Sequence, residues 1–366
     1  MDITTATPEL DLLHRPAADH STLVDLLRWR AEHQPHRLGY TFLSNGEDEE
    51  VSFTYAELDR QARIIGGLLQ SRVKPGERVL LLYPSGLKFI AAFFGCLYSG
   101  VIAVPVYPPD PARLDLTLLR FQSIVNNARP AAALTTSAIL SKFSELIERD
   151  QDFRSIQWVM TDDIEPEYAD TWQYPAIDGN TLAFLQYTSG STSTPKGVMV
   201  SHANLLHNEQ TIQRACRHTH ESTFVGWLPL YHDMGLIGNV IQPLYLGARC
   251  VLMSPVAFLQ RPLRWLDAIS RFRAATSGGP NFAYDLCVRK TTPEQRASLD
   301  LSSWTTAFNG AEPVRPESLE RFAEAFEVAG FRREAFYPCY GLAEATLIVS
   351  GGTGDASLPG TYAVQS

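Results

Sequence analysis

From residue 55 onward, short apolar runs alternate with segments whose apolar residues recur at helical spacing. This alternation constrains the fold more than any other feature. Strands separated by helices pair mainly in parallel, and the helices then cover both faces of the sheet. Thr54-Tyr-Ala-Glu57 has capping-box spacing. Leu58, Ala62, Ile65 and Leu69 then follow at helical period, which predicts a helix over 55–72. Pro75-Gly76 turns the chain into an apolar strand at 79–83. The same pattern predicts helices over 87–98, 113–128 and 138–149, with strands over 101–106, 131–136 and 156–160. A strand at 182–186 is followed by strands near 223–228, 248–253, 274–277 and 304–308, with helices near 201–217, 261–272, 280–290 and 316–329. The expected class is α/β, with stacked, largely parallel sheets flanked by helices in several subdomains.

At 366 residues the chain exceeds one ordinary compact core. The acidic, proline-containing stretch 162–180 is the best internal boundary, which suggests one subdomain over 1–175 and a second over 176–366. Hydrophobic content of 45% with 19% charged residues is that of a globular chain. The net charge of −9 argues against nucleic acid as a main partner, because a phosphate backbone demands a basic face. Cys96, Cys216, Cys250, Cys287 and Cys339 are far apart and form no CxxC pair, so reduced core thiols in a cytoplasmic protein are expected. Residues 89–106 are uncharged over nearly the length that spans a bilayer. Gly95, Ser99, Gly100 and Pro105 interrupt them, so a buried helix followed by a buried strand is expected and no membrane span. The first residues have neither the basic patch nor the apolar core of a signal peptide.

In open α/β sheets ligands bind beyond the carboxyl ends of the strands. The run Tyr187-Thr-Ser-Gly-Ser-Thr-Ser-Thr-Pro-Lys196-Gly197 follows the strand at 182–186. Its small residues let the backbone approach a polyanion. The hydroxyls of Thr188, Ser189, Ser191, Thr192, Ser193 and Thr194 can donate to phosphate oxygens, and amides such as that of Gly190 can turn inward as a nest. Lys196 adds a cation, and Pro195 stiffens the approach. A Walker A loop is excluded, because here the lysine precedes the glycine. A plain Ser/Thr-rich surface turn is the alternative. Lying between a strand and a helix, the run reads as a phosphate-binding loop.

The run resembles the phosphate loop of the adenylate-forming superfamily, which includes acyl-CoA synthetases, luciferases, peptide-synthetase adenylation domains and fatty acyl-AMP ligases. Members usually carry glycine where Ser193 stands. That departure, with the following Val198-Met-Val-Ser-His-Ala-Asn204, is similar to the fatty acyl-AMP ligase branch. The resemblance runs from about Leu23 to about Ser350 and rests on several separated motifs.

Trp227-Leu-Pro-Leu-Tyr231-His232-Asp-Met-Gly235 resembles the motif lining the carboxylate side of the pocket. His232 can donate to a carboxylate, and Gly235 leaves room for an acyl chain; a core histidine bonded to a backbone carbonyl is the alternative. Asp233 is either a turn residue or an orienting partner. Ser277-Gly-Gly-Pro-Asn281-Phe-Ala-Tyr284 resembles the substrate-pocket helix, with Phe282 and Tyr284 as walls of an acyl tunnel or as ordinary core aromatics. Phe308-Asn-Gly310-Ala311-Glu312 matches the adenine-side loop, with Glu312 on ribose or capping the next helix. Tyr340-Gly341-Leu-Ala343-Glu344 supplies an aromatic face for adenine and, in Glu344, a hard oxygen for Mg²⁺. Alanine at 343, where the wider superfamily has threonine, is again similar to fatty acyl-AMP ligases. Thr353-Gly354-Asp355 imitates the ribose-binding motif but comes too soon after Glu344. Cys339 is read as packing.

The reaction implied is attack of a fatty-acid carboxylate on the α-phosphate of ATP, giving acyl-AMP and pyrophosphate, with transfer to an acyl-carrier protein. Residues Thr188–Thr192 and Lys196 would hold the β and γ phosphates, Glu344 the Mg²⁺, and His232 the carboxylate. The resemblance also implies a smaller C-terminal domain with a catalytic lysine, which the sequence ends before, so a truncated chain, a fragmentary gene product or one piece of a longer megasynthase is expected. Two other readings stand beside this one: an acyl-CoA synthetase fragment, and a catalytically idle nucleotide-binding module.

Overall fold

A computed structural model describes residues 19–107, 114–188 and 195–352. In its first half the strands are β1 (Leu38–Leu43), β2 (Glu50–Thr54), β3 (Arg78–Leu82), β4 (Ile102–Val106), β5 (Ala132–Thr135), β6 (Gln157–Met160) and β7 (Leu182–Thr188). They are followed by β8 (Lys196–Ser201), β9 (Phe224–Gly226), β10 (Cys250–Met253), β11 (Thr276–Gly278), β12 (Thr306–Asn309), β13 (Phe336–Gly341) and β14 (Ile348–Gly351). Two sheets form, a six-stranded one in the order β6-β5-β3-β4-β7-β8 and an eight-stranded one in the order β14-β13-β12-β11-β9-β10-β1-β2. Pairing is parallel except at the edges, where β7–β8, β1–β2 and β13–β14 run antiparallel. The expected α/β class is what the chain adopts.

The inner strands are apolar on both faces, as a helix-covered parallel sheet requires; Val79, Leu80, Leu81 and Leu82 are all buried. Helix Tyr55–Gln70 starts at Thr54, whose hydroxyl and the Glu57 carboxylate exchange bonds with each other's backbone amides. It packs on helix Leu87–Ser99, which with β4 makes up the uncharged stretch 89–106. That helix is buried along its length between the other layers. Among the described residues no helix is long and apolar enough to cross a membrane.

Three features differ from the sequence expectation. The division at 175/176 does not separate the sheets, since β7 and β8 complete the sheet of the first half and β1 pairs with β10 in the second. The serine- and threonine-rich run does not join a strand to a helix. It connects β7 to an unexpected antiparallel strand, β8, and helix His202–Cys216 begins only after that, capped by Ser201 and Asn204. Finally, a π-helical turn, Ile237–Ile241, joins two short helices, Asp233–Leu236 and Gln242–Leu246.

Candidate active site

Strands β9, β11, β12 and β13 lie side by side in parallel, so their carboxyl ends share one edge. The segments leaving that edge carry His232, Gly279, Ala311 and Tyr340. Two cavities open there, one of about 220 Å³ and one of about 800 Å³. His232, Met234 and Ala311 line both and mark where they meet.

At this junction His232 precedes helix Asp233–Leu236, and its Nδ1 lies 2.5 Å from Asp233 Oδ1. The same carboxylate oxygen accepts the Met234 amide at 2.7 Å. Asp233 thus holds the imidazole with Nδ1 as the donor, which leaves Nε2 for the cleft. The hydrogen bond to Asp233 raises the His232 pKa above its ordinary value and outweighs the opposing effect of burial. Of the two alternatives left by the sequence, Asp233 is the orienting partner. Across the mouth, Gly310 packs so tightly that a Cβ there would meet the Cys339 carbonyl oxygen at 2.9 Å. Ala311 then takes a left-handed φ of 68°, a conformation that L residues hold only when the surroundings impose it. Glu312 has a buried Oε1 without a hydrogen-bond partner, and Tyr340 presents a ring that is 60% exposed.

The smaller cavity runs from this mouth along one face of the sheet. Alternation along each strand puts Thr306 and Phe308, and Tyr337 and Cys339, on that face. Ile212 and Cys216 of helix His202–Cys216 form the opposite wall. Asn208 on that helix bonds the Ala345 and Ile348 carbonyls at 3.3 and 3.2 Å and accepts the Ile348 amide, so it fixes the loop carrying Leu347 and Ile348 into the cavity. Burial pushes the Cys339 thiol up to about 11 and the Cys216 thiol to about 12, which keeps both neutral. Packing is the reading these thiols support.

Two sequence expectations change here. A Cβ on Gly235 would meet the Pro229 carbonyl oxygen at 2.1 Å, so this glycine serves a tight turn and gives no room to a chain. The open position is Gly238 in the π turn, which lines the cavity and has nothing within 4 Å of a built Cβ. Tyr284 is no tunnel wall. It is buried in the core and donates to the Phe308 carbonyl at 2.8 Å. Phe282 lines the larger cavity instead.

Ser189, Gly190, Ser191 and Thr192 lie outside the described residues, as do Thr353, Gly354 and Asp355. The ends of the serine- and threonine-rich run are described. Thr188 closes β7, directly opposite Lys196 at the start of β8. Two residues earlier, Gln186 donates to the Tyr231 carbonyl at 3.2 Å, which ties this hairpin to the segment carrying His232. Lys196 is exposed, and its strand packs against the turn Ala343–Ala345 that carries an exposed Glu344. Gly341, ending β13, also lines the smaller cavity. Of the predicted site residues, His232, Ala311, Tyr340 and Gly341 thus line the smaller cavity, while Thr188, Lys196, Glu312 and Glu344 line neither. Gly238, Asn208 and the inner end of the cavity escaped the sequence, which holds no local signal for a π turn or for contacts between distant segments.

The model of the AMP-binding enzyme family matches residues 27–364. The medium-chain fatty-acid acyl-carrier-protein ligase JamA of Moorena producens is 54% identical over 336 residues, covering 91% of this chain and 56% of that protein. A similarly named ligase, TtuA of Teredinibacter turnerae, is 36% identical over 372 residues, covering 92% and 58%. The crystal structure of a fatty acyl-adenylate ligase from L. pneumophila with acyl adenylate and pyrophosphate superposes with a TM-score of 0.86 at 49% identity, over 92% of this chain and 58% of that one. The chain thus spans a little over half the length of the curated relatives it matches.

Proposed function

We propose that this chain, which belongs to the AMP-binding enzyme family, forms acyl-adenylates from medium-chain fatty acids and ATP, for transfer to an acyl-carrier protein. The observation that carries the reading is the pair of cavities meeting at His232, Met234 and Ala311. The smaller is a mostly apolar channel suited to an alkyl chain, with Ala311, Tyr340 and Gly341 at its mouth by the strand ends, the place where nucleotides bind in such sheets; the larger opens from the same mouth.

The chemistry asks for positioning and charge neutralisation more than proton transfer. As an imidazolium, His232 donates from Nδ1 to Asp233 and from Nε2 to the carboxylate at the channel mouth. Tyr340 offers its exposed ring to the adenine. The unpartnered Glu312 Oε1 suits a ribose hydroxyl donor. Thr188, Lys196 and the intervening loop hold the phosphates, so the carboxylate meets the α-phosphate between His232 and the hairpin. Among the described residues no cluster of three or more His, Cys, Asp or Glu is placed to hold a metal. Glu344, exposed on the turn packed against the strand of Lys196, is a hard oxygen donor that would hold Mg²⁺ together with ATP. When bound, that ion would offset the charge of the leaving pyrophosphate.

The names of JamA and TtuA, of which this chain covers 56 and 58%, support the acid class and the carrier protein as partner. ATP–pyrophosphate exchange with a series of acids tests the reading. Exchange with medium-chain acids is expected; ATP binding without exchange for any acid would instead favour a catalytically idle nucleotide-binding module.

A further inference from the structure

We propose that the inner end of the smaller cavity is a hydrogen-bonding subsite, and that the preferred acid is a medium-chain one with a neutral hydroxyl at or near its far end. This rests on reading that cavity as the acyl site. The middle of the channel is apolar, but its floor is not. Thr276, Thr306, His218 and Gln242 all line it, and all four are buried. A channel built only for a methyl end has no use for such a floor, because buried polar groups are costly unless they are hydrogen-bonded.

The floor belongs to a chain of hydrogen-bonded groups. Thr276 Oγ1 lies 2.8 Å from His218 Nε2. The outer end of the Gln242 amide lies 3.5 Å from His218 Nδ1, at the limit of hydrogen bonding. With that amide turned so that its nitrogen donates to the Glu209 carbonyl at 3.1 Å and to the Glu209 carboxyl, its oxygen faces the imidazole. His218 then donates from Nδ1 and accepts the Thr276 hydroxyl at Nε2. Thr276 keeps free lone pairs toward the cavity. Thr306 stands directly opposite it on the neighbouring parallel strand and faces the same space. A ligand hydroxyl can donate to one and accept from the other.

Burial decides the charge of that ligand group. It depresses the His218 pKa to about 4, which leaves the imidazole neutral near pH 7, and raises that of Glu209 well above its usual range. A neutral imidazole and two hydroxyls offer nothing to a second carboxylate or an ammonium, which would have to shed water there. A hydroxyl loses little. The floor and mouth are separated by strand β12, Thr306 to Asn309, or about 10 Å at roughly 3.3 Å per residue.

The test is ATP–pyrophosphate exchange with octanoic and decanoic acids against their ω-hydroxy counterparts. The expected result is a kcat/KM roughly tenfold higher for the hydroxylated acid at the matching length. In a Thr276→Val, Thr306→Val double variant the ratio between the two acids should fall to about one, and Thr276→Ser, Thr306→Ser should restore it. Equal or better use of the plain acid at every length, or a ratio unmoved by the valine variant, would overturn the proposal. Exchange with no acid at all would sink the adenylation reading instead. Calorimetric titration of the same acids then decides the subsite: tighter binding of the hydroxylated acid supports it, and equal binding rejects it.

Discussion

Thr188 and Lys196 face each other as the last rung of the β7–β8 pair, and the serine- and threonine-rich run is the loop that this rung closes. A hairpin holds both ends of such a loop on rigid backbone, and Gln186 anchors it beside His232. The exposed lysine is therefore delivered by a strand. Replacing it removes a charge without unpacking anything. Lys196→Ala is expected to weaken exchange roughly 10- to 100-fold, the worth of one charged hydrogen bond to phosphate, with an unchanged melting temperature. Unchanged exchange would remove Lys196 from the phosphate site.

The contact between His232 and Asp233 sets a pH dependence. The Asp233 carboxylate raises the imidazole pKa above 6.5, so the imidazolium persists to higher pH than in a free histidine. A cation at the channel mouth favours a carboxylate, and that help is lost as pH rises through the raised pKa. KM for the acid should therefore climb with pH across that transition. Asp233→Asn removes the anion and should move the inflection to lower pH, with KM at neutral pH raised. An inflection that stays in place in the asparagine variant would show that His232 does not govern it.

Gly235 and Gly238 separate a structural glycine from a functional one. A methyl group at 235 collides with the Pro229 carbonyl, whereas one at 238 enters open cavity. Gly235→Ala should therefore cost stability, about 1–3 kcal/mol by overpacking, read as a lower melting temperature. Gly238→Leu should fold normally and shorten the channel. The expected outcome is at least a tenfold loss of kcat/KM for the longest acid used, with shorter acids spared, since each methylene excluded or lost is worth about 1–3 kcal/mol. A uniform loss across chain lengths would contradict the placement of Gly238.

The contrast shows what the sequence can and cannot convey. Runs such as Val79 to Leu82, or the helical spacing of Leu58, Ala62, Ile65 and Leu69, carry their own period, so the parallel sheets and their helices were readable. The mouth was readable because turn residues such as Gly310 and motifs such as Tyr340-Gly341 are local. β1, β2, β8, β13 and β14 were missed because pairing partners, such as Cys250–Met253 for β1 and Leu182–Thr188 for β8, supply what their own sequences do not announce. The cavity floor was invisible for a stronger reason. Thr276, Thr306, His218 and Gln242 come from four different elements, and only the register of β11 against β12 brings the two hydroxyls together.

Glu209 gives the buried floor a measurable signature. Its carboxyl is fully buried with one oxygen without a partner, and burial raises its pKa well above 4.5. The unfolded chain releases this proton near 4.5, while the folded chain retains it. The group's contribution to stability is thus fully present below 4.5 and is lost progressively as pH rises toward the folded pKa. Glu209→Gln cannot ionise and escapes that loss. Its melting temperature relative to the parent should therefore be higher at pH 8 than at pH 4, and any constant cost of the new amide cancels in that comparison. An equal difference at both pH values would mean that Glu209 ionises as readily in the folded protein as in the unfolded one, which its complete burial beside Gln242 argues against.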